Sequence, residues 1–382
     1  MDFELTKRQK QIRLAVREFA EGEVAGIGQE CEVKEDFPKE LIKKSAKLGF
    51  IGSFIKKEYG GLGLGFLEHA IILEEFWRVD PGLGQVLCST TFGADELQLF
   101  GSEEQKNKYL PPLVKGDLVM GFSITEPEAG SDTASATTRA ERVGDEYIIN
   151  GNKVMITNGT LANFLLVYCL TRPEETSRSK RHSILLVETD REGYKADKIH
   201  RKMGIRASDT ANIYFNNVRV PKENLVGTEG NGFIQLMKFF DHSRSYVAAH
   251  GVGLAQGAME QAIDYVKKRK QFGQTIGSFQ VTQFKIAEMA TLIETARSLV
   301  YKACGNIDQG NLDTKLSAMA KWWACNVAVR VADEALQLHG GYGYLDDYPI
   351  ERFYRAAKIL EIYEGTKEID KITIGRRILG MA

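Results

Sequence analysis

The stretch EYIINGNKVMITNG, residues 146–159, breaks the pattern of everything around it. Its β-branched and aromatic residues suit a pleated, half-buried surface, and Asn and Gly punctuate it. Val143-Gly144-Asp145-Glu146 and Ile149-Asn150-Gly151-Asn152 both read as hairpin-like turns. FSIT (122–125), NFLLVYCLT (163–171), HSILLVET (182–189) and ANIYFNNVRVP (211–221) are runs of the same kind. Together they predict a compact β-barrel or sandwich between Met120 and Leu225.

Outward from that block the period becomes helical. From Leu5 to about Gly116, apolar residues recur at three and four, as in residues 37–48 and 67–79. The N-terminal run MDFELTKRQKQIRLAVREFAEGEV reads as an amphipathic helix with acids near its start. In GSEEQKNKYLPPLVKG (101–116), Ser102 before Glu103 and Glu104 marks a helix start, and Pro111-Pro112 are expected to interrupt it. After NLVGTEGNG (224–232) long alanine-rich helical segments persist to the end, apolar on more than one side. The expectation is an α+β chain of three parts. These are an N-terminal α-helical domain (1–118), a middle β domain (119–228) and a C-terminal four-helix-bundle-like domain (229–382).

Composition narrows the classes. At 382 residues the chain exceeds one comfortable core, and its 43% hydrophobic and 26% charged content is that of a globular protein. The net charge of −1, with no basic arm, disfavours nucleic acid as a partner. No apolar run approaches the roughly 20 residues that span a bilayer, and the N-terminus lacks a signal-peptide pattern. Cys31, Cys88, Cys169, Cys304 and Cys325 are scattered without metal-ligand spacing, so no metal site is predicted. Reduced thiols and a cytoplasmic location are expected.

Two glycine runs, GGLGLG (60–65) and GVGLAQG (251–257), have the wrong spacing for a dinucleotide fingerprint and read as turns and close helix packing. SITEPEAGSD (123–132) is denser in chemistry. Its hydroxyls and backbone N–H groups could bind a polar heterocycle or phosphate, or it is a solvated loop. KVMITNG (153–159) presents Thr157 and Asn158 at a strand end. In KILEIYEGTKEI (358–369), Glu364 is either a helix end in solvent or a base aimed into an apolar pocket.

With these segments in order, the chain resembles the acyl-CoA dehydrogenases over nearly its whole length. The resemblance rests on YGG (59–61), GSEEQKNKYLPPLVKG, TEPEAGSD (125–132), NGNKVMITNG (150–159) and FNNVRVP (215–221). It continues through GVGLAQGAMEQAIDYVKKRKQFGQTIGSFQ (251–280), QLHGGYGY (337–344) and IYEGTKEI (362–369). It implies FAD-dependent conversion of an acyl-CoA thioester to the 2,3-enoyl thioester. A base takes the α proton, the β hydride goes to flavin N5, and electrons leave to an electron-transfer flavoprotein. The same fold working as an enoyl-CoA reductase or an acyl-CoA oxidase is the alternative.

Carried over residue by residue, the resemblance makes Glu364 the base. It places Phe122, Ile124, Thr125, Gly130, Ser131, Ile156 and Thr157 around the flavin ring. Arg269, Gln271, Phe272, Gln337, Gly340 and Gly341 fall at the adenine and pyrophosphate end, with Thr366 and Glu368 also on the cofactor side. Ser131, Asp241, Arg244, Tyr363 and Gly365 are implied for the acyl-CoA. A cofactor site shared between subunits implies a homotetramer, a dimer of dimers. Relatives that keep their base on the first bundle helix have it at a position that corresponds to Ser243 here, which is not a carboxylate.

The sequence departs from the family pattern at Met155, where tryptophan is usual, and at Ala356, where aspartate is common and a local ion pair is expected to be missing. Residues 82–96 and 243–251 are expected to line the acyl pocket. They include Gln85, Cys88, Ser89, Thr91, Phe92 and His250, and the stretch 82–96 has no lysine or arginine to meet a second carboxylate. Asp95 reads as a helix start or a second carboxylate near the pocket. Short, medium, branched and small cyclic acyl groups, alicyclic ones included, remain open.

Overall fold

A computed structural model describes residues 4–381; Met1, Asp2 and Phe3, at the head of the expected first helix, lie outside the described residues, as does Ala382. Helix α1 (Lys7–Phe19) opens on a capping box between Thr6 and Gln9 and passes into a π-helical turn at Ala20–Val24. Then follow α2 (Gly28–Lys34), α3 (Lys39–Lys47), α4 (Phe66–Val79), α5 (Pro81–Ser89), α6 (Ala94–Phe100) and α7 (Glu103–Val114). Phe19, Phe50 and Phe76 meet edge to face at 5.7–6.2 Å and centre this region's core.

Ser102 caps α7 as expected, but Pro111 and Pro112 lie inside the helix rather than interrupting it. They fall in its last turn, so only two ladder bonds are lost, and Tyr109, Leu110 and Leu113 anchor it to the core.

The middle region contains β1 (Met120–Ser123), β2 (Arg139–Val143), β3 (Glu146–Thr157), β4 (Phe164–Leu170), β5 (His182–Glu188), β6 (Tyr194–Lys198), β7 (Thr210–Pro221) and β8 (Leu225–Val226). They run in the order β6-β7-β3-β2-β4-β5-β8, with β1 parallel beside β4. Only Arg139 and Leu170 pair β2 with β4, so the sheet folds at that corner. The two halves then enclose Ile149, Ile213 and Val218 against Leu165, Val167 and Leu185.

This arrangement explains the two kinds of strand sequence. Strands β3 and β7 bury one face and alternate, whereas β4 and β5 are buried almost throughout. The other face of β4 and β5 (Phe164, Leu166, Ile184, Leu186) packs on Leu110, Leu113, Leu236 and Phe239 from the helices.

Asn150-Gly151, expected as a turn, instead lies within β3. The register to β7 shifts between Ile149 and Gly151, and Gly151 sits at φ +147° where a Cβ would meet Thr138 at 2.7 Å. The Val143–Glu146 turn does join β2 to β3.

The C-terminal region is built on α8 (Gly232–Lys268), a small hairpin of β9 (Lys270–Gln271) and β10 (Gln274–Thr275), α9 (Gln280–Asp308) and α10 (Thr314–His339). Helices α11 (Ile350–Leu360) and α12 (Lys367–Leu379) complete it. The glycines of GVGLAQG do packing work. A Cβ at Gly257 would lie 1.9 Å from the Arg78 carbonyl of α4, so only glycine allows that crossing. Among the described residues no helix is long and apolar enough to cross a membrane.

Candidate active site

The turn between α11 and α12 holds Glu364. Glu364 (φ +55°) and Gly365 (φ +93°) are both left-handed, a conformation that costs a non-glycine residue about 1 kcal/mol or more. Neighbours hold it there. Lys321 donates to the Gly365 carbonyl, Arg244 Nε to the Glu364 carbonyl at 3.4 Å, and Lys367 N to Glu361 O at 3.0 Å. Beneath them Asp370, fully buried, lies 3.4 Å from Lys321 Nζ and 3.5 Å from Arg244 Nε. The N–H of Glu364 has no acceptor among the described residues.

The Glu364 side chain faces a cavity of ≈ 140 Å³, and its Oε1 accepts a hydrogen bond from the Ser243 hydroxyl on α8. Burial pushes its carboxyl up to about 7. The Ser243 bond and the charges of Arg244 and Lys321 pull the other way. Asp95, in the first turn of α6, is likewise buried and raised to about 7; its burial dominates and the charge of Glu364 adds. Tyr246 donates to Asp95 Oδ2 at 3.4 Å and lines the cavity, so Asp95 stands behind the wall rather than in it.

The same cavity gathers Phe122, Ile124, Thr125, Ile156 and Thr157 from the two loop-and-strand motifs, together with Met155. What joins those motifs is a buried pair. Lys153 Nζ lies 2.9 Å from Glu126 Oε1 and donates to the carbonyls of Ile124 (2.8 Å) and Tyr168 (2.7 Å). Glu126 also accepts from the backbone N–H groups of Thr137 and Thr138. Burial alone would raise Glu126, but Lys153 and these bonds bring it down to about 2. Met155, at φ +59°, is 64% exposed, so no tryptophan-like wall covers this edge. Gly130 and Ser131 lie in an exposed part of the loop and do not line the cavity.

A second cavity, of ≈ 470 Å³, collects Arg269, Gln271, Gln337, Gly340 and Gly341. Phe272, at φ +53°, is 93% exposed beside it. Of the predicted cofactor residues, five thus line the first cavity and five the second. Their chemistry fits a flavin nucleotide. The Thr125 and Thr157 hydroxyls bond to no described residue, and Arg269 stacks on Tyr342 at 5.4 Å without an ion pair, free for a diphosphate.

Other expected positions fall elsewhere. The Thr366 hydroxyl caps α12, and Glu368 is exposed in that helix's first turn. Asp241 accepts from Thr314 at 2.8 Å, and Arg244 is turned inward, over the Phe240 ring and onto the Glu364 carbonyl. Gln85, Cys88, Ser89, Phe92, His250 and Tyr363 line the first cavity, whereas Thr91 does not. Ala356 is buried where α11 meets Gly204, and its neighbour Arg355 pairs with Glu351 and Glu32. Tyr246 and Val247, in the expected stretch 243–251, do line the cavity; sequence reasoning missed Leu73 and passed over Ser243 as a partner of Glu364. The helical spacing 243, 246, 247, 250 was the available signal.

Comparison with known proteins agrees with this geometry. Family profiles described as the acyl-CoA dehydrogenase N-terminal, middle and C-terminal domains match residues 6–117, 121–218 and 230–379. The short-chain-specific acyl-CoA dehydrogenase of Clostridium acetobutylicum is 43% identical, covering 99% of this chain and 100% of the relative. The acryloyl-CoA reductase (NADH) of Anaerotignum propionicum is 41% identical over 99% of this chain and 96% of its own. A chain in a solved structure described as the electron transferring flavoprotein of Acidaminococcus fermentans superposes with a TM-score of 0.96. It is 42% identical and covers 99% of this chain and 100% of that one. The protein belongs to the acyl-CoA dehydrogenase family and is a flavin-dependent oxidoreductase.

Proposed function

We propose that the protein dehydrogenates a short or medium, branched or small cyclic acyl-CoA to its 2,3-enoyl-CoA, with FAD as cofactor and Glu364 as base. The observation that carries this is a single cavity holding both Glu364 and the threonine-edged strand residues of the flavin motifs. Bound FAD supplies the hydride acceptor.

Glu364 removes the proton α to the thioester. Raised to about 7, it is a stronger base than an ordinary carboxylate yet substantially ionised at neutral pH. Its unpaired N–H, held by the left-handed turn, is available to the thioester oxygen, where negative charge develops as the α proton leaves. Phe122, Ile124 and Ile156 exclude water from one side of the reacting carbons, and Thr125 and Thr157 offer hydroxyls to the ring's polar edge. Arg269, Gln271, Gln337, Gly340 and Gly341 would hold the adenine and diphosphate, completed by a second subunit in a dimer of dimers. Phe272, exposed at that rim, suits such a contact. An electron-transfer flavoprotein as acceptor draws support from the description of the solved Acidaminococcus structure, which names one.

The name of the Anaerotignum relative favours a second reading, reduction of an enoyl-CoA. In that direction protonated Glu364 returns its proton to the α carbon. Anaerobic titration of the holoenzyme with acyl-CoA and enoyl-CoA thioesters, following flavin absorbance, tests both. Bleaching by saturated thioesters supports dehydrogenation, and no response to any thioester overturns the proposal. Rapid reoxidation by oxygen would move the reading to an oxidase.

A further inference from the structure

The cavity in front of Glu364 is not uniformly apolar. Gln85, Cys88 and Ser89 stand at i, i+3 and i+4 on α5, so one face of that helix lines it, beside Leu73 of α4 and His250 of α8. Gln85 is 7% exposed, and its side-chain amide makes no hydrogen bond among the described residues; Oε1 is fully shielded from solvent. His250 is 3% exposed, stacked on Trp77 at 4.6 Å, with Nδ1 2.8 Å from the Tyr363 hydroxyl. Its Nε2 is buried without a partner. In either tautomer, that nitrogen has a proton to donate or a lone pair to satisfy.

Two orphaned polar side chains on one small cavity are costly in front of a purely aliphatic chain, because the chain can satisfy neither. A charged tail fits no better. No lysine or arginine lines the cavity, and burial holds the His250 imidazole neutral, its pKa lowered to about 3. Ser89 Oγ, 3.3 Å from the Val86 carbonyl, and Cys88 add weakly polar surface to the same helix face.

We infer that Gln85 and His250 form a neutral hydrogen-bonding subsite, and that the acyl group this protein takes carries an uncharged oxygen, a hydroxyl or carbonyl, on its tail. The inference rests on the proposed acyl-CoA reading of the cavity and names the substrate class within it. Gln85 is the specificity-determining residue. His250 contributes its free nitrogen while its other nitrogen positions Tyr363 next to the base.

The test is binding to FAD-loaded Glu364→Gln protein, in which turnover does not intervene. Calorimetry compares butyryl-CoA with 4-hydroxybutyryl-CoA, and pentanoyl-CoA with 5-hydroxypentanoyl-CoA and 4-oxopentanoyl-CoA. One oxygenated thioester should bind about two- to tenfold more tightly than its alkyl counterpart, the range expected of one neutral hydrogen bond. Adding Gln85→Met, close to isosteric, should abolish or invert that ratio while alkyl binding holds or tightens. Tighter alkyl binding at both lengths would overturn the inference, as would an oxygen preference that Gln85→Met leaves untouched. If alkyl thioesters bind and bleach the wild-type flavin, the dehydrogenase reading survives that result. If no thioester binds, both fall together.

Discussion

The Ser243 hydroxyl, on the first bundle helix, donates its hydrogen bond to Oε1 of Glu364, 121 positions later in the chain. A residue that is not a carboxylate is thus bonded to the proposed base. The bond favours the charged carboxylate, against the burial that favours the neutral acid.

Ser243→Ala should therefore raise the pKa of Glu364 further. Glu364 must be ionised to act, so activity falls away as pH drops through its pKa, about 7 in the native site. The acid limb of the kcat/KM profile should move upward by roughly one pH unit in the variant. Its plateau at high pH should be largely kept. A profile unchanged in position would show that Ser243 does not act on the base.

The pair Lys153–Glu126 should couple flavin retention to stability. Lys153→Met leaves Glu126 buried without its cation and should cost about 3–5 kcal/mol, seen in thermal unfolding with loss of FAD. Glu126 sits at about 2 in the fold against an ordinary 4.5. Its contribution is therefore complete above the unfolded value and is lost as pH falls from about 4.5 toward 2. An acid-unfolding curve of the wild type should show that loss, and Lys153→Met should flatten it.

Lys321 and Asp370, both fully buried, lie under the turn that holds Glu364. Lys321→Met leaves the Asp370 carboxylate with Arg244 as its one remaining cation and releases the Gly365 carbonyl. It should destabilise by about 1–3 kcal/mol and lower kcat more than it changes KM. Lys321→Met with Asp370→Asn, which keeps an oxygen for Arg244, should recover part of the stability but not kcat, because the carbonyl still lacks its donor. Full recovery of kcat in the double variant would show that the turn needs no such anchor.

The alternation of β3 and β7 and the long helical periods made the three-part architecture legible, because one-faced burial writes its period into sequence. The Asn150-Gly151 pair misled because a bulge in a long strand and a hairpin turn use the same residues. Pro111-Pro112 misled because proline costs little in a last turn already held by packing.

At the site, Glu364 stood out through its apolar approach and following glycine, and the motifs gave the strand residues that line its cavity. The partners that tune it were hidden. Ser243, Arg244, Lys321 and Asp370 reach Glu364 or its turn from α8, α10 and α12, and such contacts leave no local period. Glu126, not singled out within SITEPEAGSD, is the buried bolt between the two motifs. Asp95 satisfied both of its readings, lying in a helix's first turn and a single tyrosine away from the cavity.

The central claim, that Glu364 is the base, is tested most directly by anaerobic rapid mixing of Glu364→Gln holoenzyme with an acyl-CoA that bleaches the wild type. The account predicts retained FAD and thioester binding, with flavin reduction slowed by at least about 100-fold. Bleaching at the wild-type rate would contradict it.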